Sequence, residues 1–294
     1  MKKAVIGIDP VGTYRPALEL LLRLGIPDLQ VTAVSVAEPV MADPSGFEAV
    51  EFMPVADLIE QELDNCEKRL NEVKADLAGR GVACTTVLES GMPLTEIEEE
   101  ANKGHADLIV AGSEKKGFFA RLFDTSVAEG LAIESKTSFL IGRAPFSETG
   151  KLKAIIATDH SEYCTKCLDL LLAMKPTGFG EIHILASFTP AEISFAYENA
   201  ENLVDGHDSE MVREALEEKN KALASKLASL ADKVTHEVVE NHPNGAINAV
   251  MKEQNADLLI MGAHGHGLIE RIFIGSVSMH QVKSEDHNIL VMRA

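Results

Sequence analysis

The sequence is short of positive charge. Of its 294 residues, 27 are Lys or Arg and 46 are Asp or Glu, giving a formal charge of −19 and a pI near 4.9. A surface this acidic repels polyphosphate, so no nucleic-acid partner is expected. Cysteine is scarce: four residues, at 66, 84, 164 and 167, are too few for a disulfide framework. No apolar run approaches the roughly 18 residues of a membrane span. The opening Met1-Lys2-Lys3-Ala4-Val5-Ile6 runs into a strand-like segment and lacks the longer apolar core of a signal peptide. These absences lead us to expect a soluble cytoplasmic protein with no membrane and no nucleic-acid contact. What is present, 46% hydrophobic and 25% charged residues, suits a globular chain with a sizeable core. At roughly 150 residues per domain, the length suggests two domains.

An internal repeat sets the organisation. With a shift of 150 residues, His105-Ala-Asp-Leu-Ile-Val-Ala-Gly112 falls on Asn255-Ala-Asp-Leu-Leu-Ile-Met-Gly262, and the register holds to Arg143-Ala144 over Arg293-Ala294. Twelve of 40 positions in that window are identical, among them Asp107, Gly112, Ser126, Val127 and Arg143. Background composition predicts about one in seventeen. The same shift carries Lys3-Ala4-Val5-Ile6 onto Lys153-Ala154-Ile155-Ile156, while the middle segments need small gaps. The chain is a tandem duplication joined near residues 147–150, with expected domains 1–147 and 151–294.

Each half alternates short β-branched apolar runs with helical patterns. Strands are predicted over 4–8, 31–36, 83–88, 108–111 and 139–142, and again over 154–157, 181–186, 235–239, 258–261 and 289–292. Their near-continuous apolar character suits strands buried on both faces of a parallel sheet. Helices are predicted over 55–80, 94–104, 209–233 and 246–255, with Gly79 and Gly104 as stops. The expected fold class is α/β: two tandem doubly wound domains, each a five-stranded parallel sheet with helices on both faces. A ligand would sit beyond the carboxyl ends of the strands.

The sharpest chemical signal follows the fourth strand of the second half. Met261-Gly262-Ala-His264-Gly265 leads on to Gly275-Ser276-Val277-Ser278, a G-x2-G-x9-G-S spacing. Glycines let a backbone approach a phosphate, exposed amides make an anion nest, and the next helix start adds partial positive charge. Ser276 adds a hydroxyl there, and Asp159, after the first strand of this half, can accept a ribose or adenine hydrogen bond. A tight turn alone is the competing reading of the glycines. The signatures G-x4-G-K-[ST] and G-x-G-x-x-G after the first strand are absent.

With Asp159-His160-Ser161, Asp257-Leu-Leu-Ile-Met-Gly-Ala-His-Gly and Gly275-Ser-Val-Ser in place, the chain resembles a tandem universal stress protein over essentially its full length. The resemblance implies Rossmann-like domains of the adenine nucleotide alpha hydrolase type. It implies ATP, with Mg²⁺ accompanying it, held by Asp159, Ser187, Met261, Gly262, Gly265, Gly275, Ser276 and Val277. At Ser187 the family usually has an aliphatic residue. The family's dimers pair their last strands, so residues 139–142 and 289–292 are expected to pair within the chain as a pseudo-dimer, with a homodimer as a further step.

The first half keeps only part of the pattern. Asp9, Val36, Gly112, Ser126 and Val127 survive as a weaker site in an adenosine-shaped crevice, but Lys115 and Thr125 replace the second and third glycines. Glu114 and Asp124 add negative charge, which Lys115 and Lys116 can offset. Weak or no ATP binding is expected here, and substitution of Gly112 is expected to matter little for ATP affinity.

Other groups carry less. Cys164-Thr-Lys-Cys167 is a Cys-x-x-Cys near a helix start, where a redox or metal role competes with the favoured reading of structural thiols. His264 and His266 are read as loop residues. The acidic run at 96–100 and residues 217–221 are read as solvated helix faces. No catalytic residue is identified. The expected function is an ATP-binding stress-response sensor or regulator whose loop orders on nucleotide binding. The alternatives are a slow Mg²⁺-dependent ATPase or phosphotransferase, and a nucleotide-free interaction module.

Overall fold

The structure, a computed structural model, describes residues 2–37, 55–113, 127–143, 146, 150–189, 208–264, 274–284 and 287–294. The first half runs β1 (Lys2–Gly7), α1 (Tyr14–Arg23), β2 (Leu29–Ala37), α2 (Val55–Gly79), β3 (Ala83–Ser90), α3 (Pro93–Gly104), β4 (Leu108–Gly112), α4 (Val127–Glu134) and β5 (Ser138–Gly142). The second repeats the order as β6 (Leu152–Ala157), α5 (Glu162–Met174), β7 (Phe179–Phe188), α6 (Asp208–Leu227), β8 (Ala231–Glu240), α7 (Pro243–Glu253), β9 (Leu258–Gly262), α8 (Ser276–Ser284) and β10 (Ile289–Met292). All ten expected strands are present. The helix expected over 209–233 stops at Leu227, and its last residues belong instead to β8.

The two five-stranded sets do not stay separate. They form one ten-stranded sheet in the order β3-β2-β1-β4-β5-β10-β9-β6-β7-β8. Neighbours within each half are parallel, and β5 pairs with β10 antiparallel through Phe139, Leu140 and Ile141. The expected pairing of 139–142 with 289–292 is therefore made inside the chain. One apolar layer lies under α1, α2, α5 and α6, with Leu20, Leu77, Leu171 and Leu227 buried against the sheet. The other lies under α3, α4, α7 and α8, with Ile97, Leu131, Ile247 and Val282. Strands buried on both faces explain the uninterrupted apolar runs.

Several repeated identities have physical causes. Asp107 accepts the Lys3 amide at 2.9 Å and Asp257 accepts the Lys153 amide at 2.8 Å, so each fourth strand is tied to the start of its first. Arg143 donates to the Val282 carbonyl of α8 at 2.5 Å, and Arg293 donates to the Ala132 carbonyl of α4 at 2.6 Å. Each arginine thus closes a carbonyl in the last turn of the other half's final helix, where a positive charge meets the negative helix end. Ser138 and Asn288 accept the amides of Arg293 and Arg143 from the facing strand. Among the described residues, no helix is long and apolar enough to cross a membrane.

Candidate functional site

In each half, the first and fourth strands are neighbours whose chains leave in opposite directions, which opens a crevice at their carboxyl ends. In the second half, β6 pairs with β9 up to Ala157 opposite Met261. Asp159 lies just beyond β6 and Gly262 ends β9, at the same rim. The start of α8 is fastened there too: the Gly275 amide donates to the Ala263 carbonyl at 2.7 Å and the Ser278 hydroxyl to the Gly262 carbonyl at 2.8 Å. Ser276, the first residue of α8, is exposed, and Val277 is half-buried. Ser187 is half-buried at the end of β7. Gly265 lies outside the described residues, as does His266.

The turn carrying Asp159 is held from two sides. Asp159 Oδ1 accepts the Ser161 amide at 3.0 Å, and the Ser161 hydroxyl caps α5 by accepting the Cys164 amide at 3.1 Å. Between them His160 adopts φ of 56°, a left-handed conformation uncommon outside glycine. Its Nε2 lies 2.8 Å from Asn220 Oδ1 on α6, and Asn220 Nδ2 donates to the Glu237 carbonyl of β8 at 2.8 Å. The second bond orients the Asn220 amide with its oxygen toward His160, so Nε2 carries the proton. Glu217, Glu218, Lys219 and Lys221 are exposed as expected, but Asn220 among them is fully buried. An amide there is tolerated because both ends are satisfied. Sequence reading missed this bridge because its members lie 60 and 17 residues apart.

His264 lies two residues beyond β9, only 7% exposed, and among the described residues its Nδ1 has no hydrogen-bond partner. The ring meets Tyr163 edge-on at 4.9 Å. Burial, aided by the Arg293 charge, holds its pKa below the ordinary 6.5, so the imidazole is neutral at pH 7. A Cβ placed on Gly262 would make ordinary contacts, 3.4 Å to the His264 carbonyl and 3.6 Å to Cys167 Sγ and Tyr163 Cδ1. Burial pushes the Cys164 thiol up to about 11 and that of Cys167 up to about 12. Both remain protonated, and Cys167 donates to the Met292 carbonyl at 3.2 Å, which fits structural thiols.

The first-half site differs in kind. Asp9 was expected to face a ligand, but its carboxylate turns onto its own loop. Oδ2 accepts the amides of Val11, Gly12 and Thr13 at 3.0, 2.8 and 3.0 Å. Oδ1 accepts the Thr13 hydroxyl at 2.9 Å and the Tyr14 amide at 2.8 Å. At Gly112 a Cβ would lie 2.1 Å from the Thr13 carbonyl oxygen and 2.6 Å from the Tyr14 nitrogen, so a side chain there forces the loop to move. Val36 is half-buried near the end of β2, and Val127 opens α4. Ser126, Glu114, Lys115, Lys116, Asp124 and Thr125 lie outside the described residues. The acidic run at 96–100 is not wholly solvated either. Glu98 Oε1 is buried without a hydrogen-bond partner, and desolvation raises the Glu98 pKa despite a Ser135 hydrogen bond. Among the described residues, no three His, Cys, Asp or Glu side chains group as metal ligands.

The chain has relatives of matching architecture. A solved universal stress protein from Archaeoglobus fulgidus superposes with a TM-score of 0.68 at 17% identity, covering 99% of this chain and 98% of that one. A putative universal stress protein from Pseudomonas aeruginosa gives 0.61 at 14% identity, covering 100% and 93%. At these identities the likeness is one of fold. A universal stress protein of Methanocaldococcus jannaschii is 25% identical over 152 residues, 48% of this chain and 94% of that protein. Two consecutive segments, residues 1–143 and 152–293, match the universal stress protein family, and the chain belongs to that family as a tandem of two such units.

Proposed function

We propose that the chain is an ATP-binding regulator of the stress response, with the nucleotide held by its second half. The observation that carries this reading is the second-half rim. There Gly262 keeps space for a Cβ at ordinary contact distance, and a buried neutral imidazole has an unsatisfied nitrogen. The exposed start of α8 stands fastened beside them. Helix-start amides favour phosphate.

Asp159 would accept a sugar or adenine hydrogen bond, and Ser187 would face the base side. The backbones of Met261 and Gly262 would line the sugar. Gly265, Gly275, Ser276 and Val277 would surround the phosphates. Bound ATP supplies negative charge and hydrogen-bond acceptors that order this loop. Any Mg²⁺ would ride on the phosphates, and the acidic surface suits a protein that works in the cytoplasm through protein partners. The β5–β10 pairing supports reading the chain as a dimer of family units closed in cis. Domain boundaries near 147 and 151 are proposed on the same ground.

The test has two parts. Mass spectrometry of ligand released from freshly purified protein should find an adenine nucleotide. Hydrogen exchange across residues 262–280 should slow when ATP is added. No nucleotide and no change in exchange would overturn the reading.

A further inference from the structure

We propose that the first-half crevice is closed in cis by Asp9. Its carboxylate fills the amide cup at the start of α1 and pins the Gly12 and Thr13 backbone across Gly112, so the chain takes one nucleotide, in its second half. The last clause rests on the proposed function; the closure itself does not.

The repeat makes the contrast direct. Asp9 and Asp159 occupy equivalent places after the first strand of each half, but four residues separate Asp9 from the first residue of α1 and two separate Asp159 from that of α5. The longer loop lets four successive amides and a hydroxyl converge on Asp9. A carboxylate offers about four lone-pair sites, so this set uses its accepting capacity. Gly12 reaches the arrangement at φ of 94°, which favours glycine. Thr13, the residue before the helix, makes no side-chain capping bond: its hydroxyl donates to Asp9, the Arg15 amide donates to the Gly12 carbonyl at 3.2 Å, and Pro16 has no amide hydrogen.

The consequence appears at the fourth strand. The Thr13 carbonyl oxygen and carbon lie 2.1 and 2.2 Å from where a Gly112 Cβ would be, whereas among the described residues the closest atom to a Gly262 Cβ is 3.4 Å away. Backbone in the first half therefore fills the place at Gly112 that its counterpart at Gly262 leaves clear. A nucleotide entering there would have to lift the loop and strip a carboxylate of its donors. The same five bonds that exclude it stabilise the start of α1, so the closure is part of the fold rather than a late event.

Two measurements on the full chain separate closure from nucleotide binding. Without nucleotide, the amides of residues 11–14 should exchange slowly, and Asp9→Ala should speed them by at least about tenfold, with Asp9→Asn intermediate. Circular dichroism would check that both variants remain folded. Fast exchange of these amides in the wild-type protein would overturn the closure. Calorimetric titration with ATP should then give one equivalent per chain, lost in Asp159→Ala. Two equivalents, or one that survives Asp159→Ala, would overturn the closure while leaving nucleotide binding in place. No binding together with slow, Asp9-dependent exchange would uphold the closure and refute the nucleotide reading.

Discussion

Gly112 and Gly262 are the same residue in the repeat, yet alanine should affect them very differently. At Gly112 the new methyl meets backbone at 2.1, 2.2 and 2.6 Å, and no side chain can swing away to admit it. The loop must retreat. Forced overpacking costs about 1–3 kcal/mol. Losing one of the charge-accepted hydrogen bonds on Asp9 adds about 1.5–3 kcal/mol. Gly112→Ala should therefore destabilise the protein by about 2.5–6 kcal/mol, a large share of the roughly 5–15 kcal/mol that holds a domain together. Gly262→Ala meets no atom of the described residues closer than 3.4 Å and should change stability by less than about 1 kcal/mol. Urea unfolding read by far-ultraviolet circular dichroism suits a chain without Trp. Similar midpoints for the two variants, or a stable Gly112→Ala, would refute the account of the first-half loop.

Arg143→Ala and Arg293→Ala should each lower unfolding free energy by about 2 kcal/mol, since each leaves a helix-end carbonyl without its charged donor. Urea midpoints unchanged in both would show the reciprocal bonds to be incidental. Glu98→Gln should raise the melting temperature at pH 7.5, because the folded pKa of Glu98 lies above its unfolded value and ionisation there costs stability. The gain should vanish below the ordinary carboxylate range; a gain that grows on acidification would contradict the sign. His264 has a folded pKa below its unfolded one, so its contribution is present above about pH 6.5 and lost as pH falls. Melting curves of His264→Gln should show a flatter acid slope than wild type. Cys164 and Cys167 should react with iodoacetamide at neutral pH only upon unfolding, and fast labelling of the native protein would mean their thiols are not held protonated as described.

The sheet was legible in the sequence because buried parallel strands leave continuous apolar runs, and the duplication fixed each strand twice. The end of α6 was not. Ala228, Leu230 and Ala231 suit a helix as well as a turn into β8, and no Gly or Pro marks the change. The second-half rim could be read from the spacing of Gly262, Gly275 and Ser276, which the Gly275-to-Ala263 and Ser278-to-Gly262 bonds bring to one place. Asp9 matches Asp159 in residue type and position, but the longer loop before α1 gathers the amides of residues 11–14 on its carboxylate. The two extra residues before α1 were the available signal. Asn220 looked solvated among charged neighbours because nothing local reveals that His160 and Glu237 reach it.

The antiparallel seam between β5 and β10 also decides what can be sensed together. Strands of the two halves point in opposite directions, so the Asp9 loop and the Asp159 loop open on opposite margins of one sheet. A five-residue strand spans about 17 Å. A body that covers one margin leaves the other in water.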